Sequence, residues 1–310
     1  MISYYYRGAK THNLETTTKF KAGSWVHAIN PSEHDQHKLV RELSIEQDLL
    51  HDALDIDEMP RLQSEDGTTY VFCRFARKSN DGRVTTAPML LAVGANFFLS
   101  LGAEPCTELE QFIRKSPDVD TTDRARTLLD IFEIVLETYA TQLNAINRKI
   151  RTARSSLSIA KVSNKDFVQF VEIEDILNEM LGDLVPTNVV LQTLSNPRKN
   201  LRFYNDDKEQ IEDIILTAGQ LIDSIKGSLK TIVNIREAYS NIATNNLNRQ
   251  IKLLTTLTVV LTIPTIVGSF FGMNVPVPFQ NNALAFLGII AATSGISALI
   301  IYAFKKTGWL

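Results

Sequence analysis

Hydroxyl side chains recur along one face of a long apolar segment near the C-terminus. On a helical wheel with about 100° per residue, Thr262, Thr265 and Ser269 all lie within about 40° of Thr258. Small and hydroxyl residues are common where membrane helices pack together, but the same stripe also suits the wall of a water-filled pore. The pore interpretation requires several copies of the chain, because a single helical hairpin encloses no pore.

The two ends of this stripe differ in chemistry. Ile251 and Leu254 continue it at the N-terminal end, where they could close a pore as a hydrophobic constriction that gates by dewetting, or make ordinary core contacts. The tripeptide Gly272-Met273-Asn274 follows at the other end. It offers an amide oxygen from Asn274 and a backbone carbonyl from Gly272 with no side chain in the way.

Histidines cluster in the N-terminal part of the chain. His34 and His37 are three residues apart, with His27 and His51 nearby. This spacing can bind zinc on a helix face, although exposed helical histidines are commoner. We find no catalytic triad, phosphate-binding loop or paired-carboxylate active site, so the sequence favours no enzymatic activity.

Charge divides the chain unevenly. Its 310 residues carry a formal net charge of only −3, which gives no hint of nucleic-acid binding. No charged residue lies between Lys252 and Lys305, which is long enough for two membrane spans. We place these spans at about 253–271 and 283–304, joined by an outer loop at 272–282.

The flanking charges predict the orientation. Arg249 and Lys252 precede the first span, Lys305 and Lys306 follow the second, and the loop between the spans has no basic residue. The positive-inside rule therefore places both termini in the cytoplasm. The N-terminus lacks the apolar core of a signal peptide, and two isolated cysteines fit a reducing compartment.

Three regions are expected along the chain. Residues 1–116 read as a mixed α/β domain with strands near 25–29, 69–77 and 89–101 and helix within 32–54. Residues 117–252 read as long stalk helices, two of them at 119–155 and 163–195, divided near 155–163 and followed by a break at Pro197. Residues 253–310 form the two-helix transmembrane domain. The fold class is therefore an α+β integral membrane protein.

The last stalk helix is expected to continue into the first span. From residue 203 onward no proline occurs before Pro264, and apolar residues recur every three or four positions from Ile211 to Val233. If unbroken, this helix is about 100 Å long at 1.5 Å per residue. The pattern alone fits a plain coiled coil equally well.

Several motifs together resemble the CorA-type magnesium transporters. Gly272-Met273-Asn274, directly after the first of two C-terminal spans, is similar to the signature of that family. Pro264-Thr265 lies upstream as the Pro-Thr of the family does, and residues 304–310 resemble its basic ending. Residues 50–61 and 70–72 resemble parts of its N-terminal domain more loosely.

The resemblance implies a homopentamer in a lipid bilayer, with the first spans lining the pore and the tripeptides ringing its outer mouth. No nucleic acid and no organic substrate are expected. The chain departs from the family in one respect, because many members follow the signature with an acidic residue, whereas residues 275–282 contain none.

The chemistry of the signature suits magnesium. Mg²⁺ gives up its water reluctantly, and a ring of neutral oxygens from Gly272 and Asn274 can hydrogen-bond to that water without stripping it. Thr265 and Ser269 could repeat the contact deeper in the pore. Carboxylates would hold the ion tightly, whereas conduction requires weak binding at several sites.

The resemblance also implies a regulatory site for cytoplasmic Mg²⁺. Aligned with the family without gaps from Asn274, its regulatory acid in the stalk matches Asp213, and the partner acid matches Asp52. Two facing carboxylates repel unless a cation lies between them, so bound Mg²⁺ could hold the channel shut. Acids are plentiful nearby, and most acids are merely solvated.

Three functions remain open on the sequence. The first is Mg²⁺ uptake across a bacterial plasma membrane, driven by the membrane potential. The second is transport of Co²⁺, Ni²⁺ or Zn²⁺ by the same fold, because ZntB-type relatives carry Gly-Ile-Asn or Gly-Val-Asn where this chain has Met273. The third is a non-conducting, membrane-anchored coiled-coil scaffold, which would need neither the hydroxyl stripe nor Asn274.

Overall fold

The computed structural model describes residues 1–7, 14–79, 81–115, 119–155, 164–196, 201, 203–278, 282 and 284–309. Within these ranges the chain divides into two compact units, the first within 1–156 and 165–235 and the second including the residues from 236 onward. Some predicted features lie outside the described residues. These are the helix division at 156–163, the break at Pro197, loop residues 279–281, the boundary at 116–117 and Leu310.

One mixed sheet of seven strands forms the centre of the first unit. The strands are β1 (Ile2–Tyr6), β2 (Glu15–Thr17), β3 (Ser24–Ile29), β4 (Arg61–Glu65), β5 (Thr68–Lys78), β6 (Val84–Val93) and β7 (Phe97–Gly102). Their order is β2-β1-β3-β7-β6-β5-β4. Strands β3 and β7 run parallel, and the other neighbouring pairs run antiparallel. The parallel pair is possible because a long connection separates its two strands.

One face of the sheet packs against two short helices, α1 (Glu33–Leu43) and α2 (Gln47–Asp52). A capping box starts α1: the Ser32 hydroxyl accepts from the Asp35 amide, and the Asp35 carboxylate accepts from the Ser32 amide. The core on this face is aliphatic and aromatic, and its fully buried members include Val26, Leu39, Leu50, Leu90 and Leu99.

The opposite face holds Trp25 and Phe98, whose rings meet edge-to-face at 5.9 Å. Helix α3 (Thr107–Lys115) and the long helix α4 (Arg124–Ser155) follow the sheet in sequence. A side-chain hydrogen bond joins α4 to the sheet, since the backbone N–H of Ala76 in β5 donates to Thr138 Oγ1 at 3.0 Å.

A buried ion pair ties helix α5 (Asn164–Leu194) to strands β5 and β6. Arg74 Nε donates to Asp183 Oδ2 at 3.1 Å, and the Thr86 hydroxyl donates to the same oxygen at 2.6 Å. Burial raises the pKa of Asp183, while the Thr86 hydrogen bond and the Arg74 charge oppose that shift. Loss of either charged partner would leave the other buried and unpaired, which is strongly destabilising.

Helix α6 extends from Asn205 to Phe271, and its first part runs parallel to α4. Gln210 Nε2 donates to Glu133 Oε1 at 2.9 Å, and further along both helices Ser228 Oγ donates to Asn147 Oδ1 at 2.7 Å. Residue numbers increase in the same direction along both helices, from 210 to 228 in α6 and from 133 to 147 in α4, so the two helices run parallel. A continuous helix through this region confirms the predicted last stalk helix.

The second unit contains the end of α6 and helix α7 (Ala285–Lys306). Both helices are long and apolar enough to cross a membrane, and nearly all of each apolar stretch is exposed in the single chain. Lys252 Nζ lies 5.3 Å from the ring centroid of Trp309, so the start of the first span and the end of the second lie together. The two spans therefore form the expected hairpin.

The predicted fold class is confirmed, with small shifts at element ends. The strands expected near 25–29, 69–77 and 89–101 are present. The second span contains α7, which begins at Ala285, and the expected start of that span at 283 lies outside the described residues. The division into domains at residues 116 and 252 stays a prediction.

Candidate ion-conducting site

The hydroxyl stripe is exposed in the single chain, and the hydroxyl protons of its three threonines are used within the helix. Thr258, Thr262 and Thr265 donate to the carbonyl oxygens four residues earlier at 2.9, 2.7 and 2.9 Å. A threonine hydroxyl has one proton and two lone pairs. Each oxygen therefore keeps lone pairs that can accept from water, which gives the exposed face of α6 the polarity that a hydrated cation requires.

Helix α7 covers the opposite face of α6. The less exposed residues of this span are Thr256, Val260, Ile263 and Val267. They lie about 140–200° around the helix from Thr258. The facing residues Thr293 and Ser297 of α7 are buried. The hairpin thus protects one side of α6 and leaves the hydroxyl stripe on the other side uncovered.

Pro264 lies inside the first span and helps to define this helix contact. Proline has no N–H, so it cannot donate to the carbonyl of Val260 four residues earlier. In the structure the hydroxyl of Ser297 on α7 donates to that carbonyl oxygen at 3.4 Å. Backbone groups without a partner are costly inside a membrane, and Ser297 supplies the missing donor across the hairpin.

The signature residues follow the end of α6. The Gly272 N–H donates to the Gly268 carbonyl at 3.0 Å, and a Cβ at position 272 would lie 3.3 Å from that same oxygen. Gly272, Met273 and Asn274 are exposed. The C-terminal end of a helix carries partial negative charge and backbone carbonyls without helical partners, so this end of α6 attracts cations even though the loop sequence has no acid.

Ile251 and Leu254 lie on the stripe at its other end. They are 52% and 63% exposed in the single chain. Neither side chain is a core residue of its own hairpin, so their apolar surfaces are available to other copies of the chain.

The two candidate regulatory acids belong to the first unit and have different surroundings. Asp52 ends α2 and accepts from Arg61 Nη2 at 2.6 Å. Asp213 is exposed on α6 and lines a cavity of about 240 Å³ with Glu133 and Glu137 of α4. Among the described residues, no three His, Cys, Asp or Glu side chains are placed to hold a metal ion. The contact between Asp52 and Arg61 was not predicted, because the two residues belong to no recognisable sequence motif.

The histidines are dispersed in the structure. His34 and His37 are exposed on α1, whereas His27 is buried in β3. Within the described ranges they form no metal-binding group, so the geometry gives no support to a zinc site.

Comparison with known proteins identifies the family. The model of the family described as "CorA-like Mg2+ transporter protein" matches residues 20–306. The chain belongs to this family. Its members are transporters rather than enzymes, and the chain is accordingly an integral membrane transporter of divalent cations with two C-terminal apolar helices.

Individual relatives agree with this assignment over nearly the whole chain. The cobalt/magnesium transport protein CorA of Methanocaldococcus jannaschii is 20% identical over 293 residues, covering 92% of this chain and 91% of the relative. The magnesium transport protein CorA of Helicobacter pylori is 23% identical over 300 residues, with 92% and 90% covered. The complete structure of the M. jannaschii CorA magnesium transporter superposes with a TM-score of 0.86 at 17% identity, covering 100% of this chain and 99% of that one.

Proposed function

We propose that this transporter takes up Mg²⁺ through a pore formed by five copies of the chain. The observation that carries the proposal is the exposed hydroxyl stripe at Thr258, Thr262, Thr265 and Ser269, opposite the face that α7 covers. A stripe that served only to pack the hairpin would face α7. Five such stripes around an axis form a polar wall.

The outer mouth in this proposal is a ring of Gly272, Met273 and Asn274. Amide and carbonyl oxygens accept hydrogen bonds from the first water shell of the ion, which Mg²⁺ retains. The negative ends of five α6 helices add attraction without a carboxylate. Ile251 and Leu254 close the other end when the pore is dry.

Transport is inward across the bacterial plasma membrane, with both termini in the cytoplasm. The basic residues Arg249, Lys252, Lys305 and Lys306 all lie at the same end of the hairpin. A membrane potential, negative inside, favours entry of a divalent cation by about 4.6 kcal/mol per 100 mV. No further energy source is required.

Cobalt is the second candidate cargo. The M. jannaschii relative is named for both cobalt and magnesium. The pore wall proposed here contacts the water shell rather than the bare ion, so it selects by size and charge of the hydrated cation. Nickel and zinc remain alternatives of the same kind.

Cytoplasmic Mg²⁺ gates the pore in this proposal by bridging Asp52 of one subunit to Asp213 of the next. Asp213 supports it by its exposure and by the neighbouring carboxylates of Glu133 and Glu137, which raise the local negative potential. Asp52 must exchange its contact with Arg61 for the ion.

Flux into liposomes tests the proposal. Purified protein should admit Mg²⁺, and Asn274→Ala should lower the flux at least tenfold while the protein still assembles. Asn282→Ala is the matched control, because Asn282 follows the same span but its side chain accepts locally from the Leu284 N–H at 2.9 Å. Equal flux in wild type and Asn274→Ala would assign the signature a structural role only. Co²⁺ and Zn²⁺, measured in parallel, rank the cargo.

A further inference from the structure

Charge is one-sided at one end of the membrane hairpin. Between Glu237 and Leu310 the sequence has no acidic side chain. Four basic residues lie at the end where α6 enters its apolar stretch and α7 leaves its own, namely Arg249, Lys252, Lys305 and Lys306. The α-carboxylate of Leu310, which lies outside the described residues, offsets at most one of these charges. This end of the hairpin therefore carries a net positive charge at the depth of the lipid headgroups.

The hairpin supplies no side chain that neutralises these basic groups. In the part of the chain that the structure describes, no ion pair involves any of the four. Lys252 is half-buried, and Arg249, Lys305 and Lys306 are exposed. Any counter-charge beyond the chain terminus therefore comes from outside the hairpin, and at this depth the phosphates of the membrane offer it.

The end of α7 is closed by a Schellman motif. Gly308 adopts the left-handed conformation with a φ of +70°, and its N–H donates to the Lys305 carbonyl at 3.4 Å. The Trp309 N–H donates to the Phe304 carbonyl at 3.0 Å. Because the turn itself satisfies these two carbonyls, the ammonium groups of the lysines are not required to cap the helix.

The same motif fixes the Trp309 ring at this end of the hairpin. The ring centroid lies 6.1 Å from that of Phe304 and 5.3 Å from Lys252 Nζ. Tryptophan rings are favoured at the boundary between hydrocarbon and headgroups. An ammonium group has three N–H donors, so Lys252 can lie over the ring and still donate to an oxygen outside it.

An exposed apolar strip on α7 leads to the basic cluster. Leu299 and Tyr302 are 68% and 67% exposed, and together with Lys306 they follow the i, i+3, i+7 spacing of one helix face. An acyl chain that lies along Leu299 and Tyr302 brings its headgroup to Lys306. A free phosphate ion would gain nothing from this strip, so the arrangement favours a lipid.

We propose that this cluster binds the headgroup phosphate of an anionic phospholipid. Lys252, Lys305 and Lys306 donate to the phosphate oxygens, and the acyl chain packs on Leu299 and Tyr302. A zwitterionic lipid brings its own cation, which the cluster repels, so an anionic lipid binds more tightly. The proposal depends neither on which cation the protein conducts nor on the side of the membrane that this end faces.

Trp309 is a built-in reporter of lipid at this site. The chain has two tryptophans, and Trp25 is fully buried in the first unit, so lipid reaches only Trp309. Acyl chains brominated near the headgroup quench tryptophan fluorescence on contact. The full-length protein is reconstituted in vesicles of mixed phosphatidylcholine and phosphatidylglycerol, with one or the other lipid brominated. Trp309→Phe supplies the background fluorescence of Trp25.

The quenching gives the relative binding constant of the two lipids. We expect phosphatidylglycerol to be preferred about fivefold, the effect of one basic residue at a membrane surface. Lys305→Gln with Lys306→Gln should lower this preference to less than about twofold. Lys226→Gln with Lys230→Gln, at exposed lysines of α6 before the first span, removes the same charge and should keep the wild-type preference. Lys252→Gln alone should roughly halve the preference, which keeps the test valid if the first double variant does not insert.

Sodium phosphate and sodium chloride at equal ionic strength separate a lipid site from a site for free phosphate. Both salts should weaken the preference equally by screening, and a stronger effect of phosphate would overturn the proposal in favour of the free ion. Equal quenching by the two brominated lipids in the wild-type protein would also overturn it. So would a preference that survives Lys305→Gln with Lys306→Gln, or an equal loss in the control variant.

Discussion

At the residue scale, the contact between Asp52 and Arg61 decides how a regulatory cation can bind. The Arg61 guanidinium pairs with Asp52 at 2.6 Å and also with Glu58, and it lies over the Phe72 ring at 3.9 Å. Asp52 is therefore neutralised within its own chain. A divalent ion at this carboxylate competes with a cation that the protein already supplies.

Cytoplasmic Mg²⁺ should protect the protein from protease, and the variant Asp52→Asn with Asp213→Asn should lose that protection because both ligands are gone. Arg61→Gln should lower the Mg²⁺ concentration needed for half-maximal protection about two- to fivefold. The reason is that the partly exposed ion pair between Arg61 and Asp52 opposes Mg²⁺ binding by roughly 0.5–1 kcal/mol. Limited proteolysis over a Mg²⁺ titration measures both effects.

Two neighbouring acids provide the control for this experiment. Asp55→Asn with Glu212→Gln removes the same total charge at nearby positions and should leave the Mg²⁺ concentration at half-maximal protection unchanged. Protection that survives in the double Asn variant would show that the Mg²⁺ sensor lies at other residues. If Mg²⁺ did not protect the wild-type protein at all, the proposal of a Mg²⁺ sensor would be wrong.

At the element scale, the hairpin of α6 and α7 is specified by a missing hydrogen bond. Pro264 leaves the Val260 carbonyl without its helical donor, and Ser297 of α7 donates to it at 3.4 Å. The same face of α6 holds the buried Thr256. This contact lies on the face of α6 opposite the hydroxyl stripe, so it favours the rotation that leaves the stripe uncovered by α7.

A double-mutant cycle tests this contact. Ser297→Ala should destabilise the hairpin by about 0.5–1.5 kcal/mol, the usual range for a hydrogen bond between membrane helices. Pro264→Ala restores the helical donor, so in that background Ser297→Ala should cost almost nothing. Unfolding in mixed micelles measures the four proteins. Equal costs of Ser297→Ala in both backgrounds would show that the hydroxyl has no role at Val260.

At the scale of the whole molecule, the proposed pore requires several copies of the chain. The stripe, Ile251, Leu254 and the signature residues are all exposed in the single chain. Apolar and hydroxyl surfaces of this extent are covered by lipid or by other subunits. The family relation places the chain among membrane transporters, and the pentamer is our proposal for what covers the stripe.

Cysteine crosslinking tests the pentamer. Thr258→Cys and Thr265→Cys should each form covalent dimers under oxidation, because the stripes of neighbouring subunits meet at the axis. Val267→Cys, on the face that α7 covers, should not. Burial raises the pKa of both native thiols, Cys73 and Cys106, to about 12, so they stay unreactive and need no replacement.

Native mass measurement gives the number of subunits in the same samples. Five copies of the 34.8 kDa chain have a mass of about 174 kDa. A dimer, or crosslinking as strong at Val267→Cys as at Thr265→Cys, would contradict the pore.

The local elements of this protein follow from the order of its residues alone. Both spans and the long last helix were predicted from properties of neighbouring residues. These properties are the helical periodicity, the lack of charge from 253 to 304 and the positions of the prolines. The hydroxyl stripe followed from the geometry of one helix. The signature was recognisable because it is contiguous in the chain.

Contacts between distant parts of the chain become apparent only in the folded molecule. The parallel pairing of β3 with β7, the Asp52–Arg61 contact and the hydrogen bond from Ser297 to Val260 join positions that no local pattern relates. The side-chain hydrogen bond between His27 and Ser100 likewise joins residues 73 positions apart. Long-range contacts depend on how elements pack, and periodicity within one element contains no information about its neighbours.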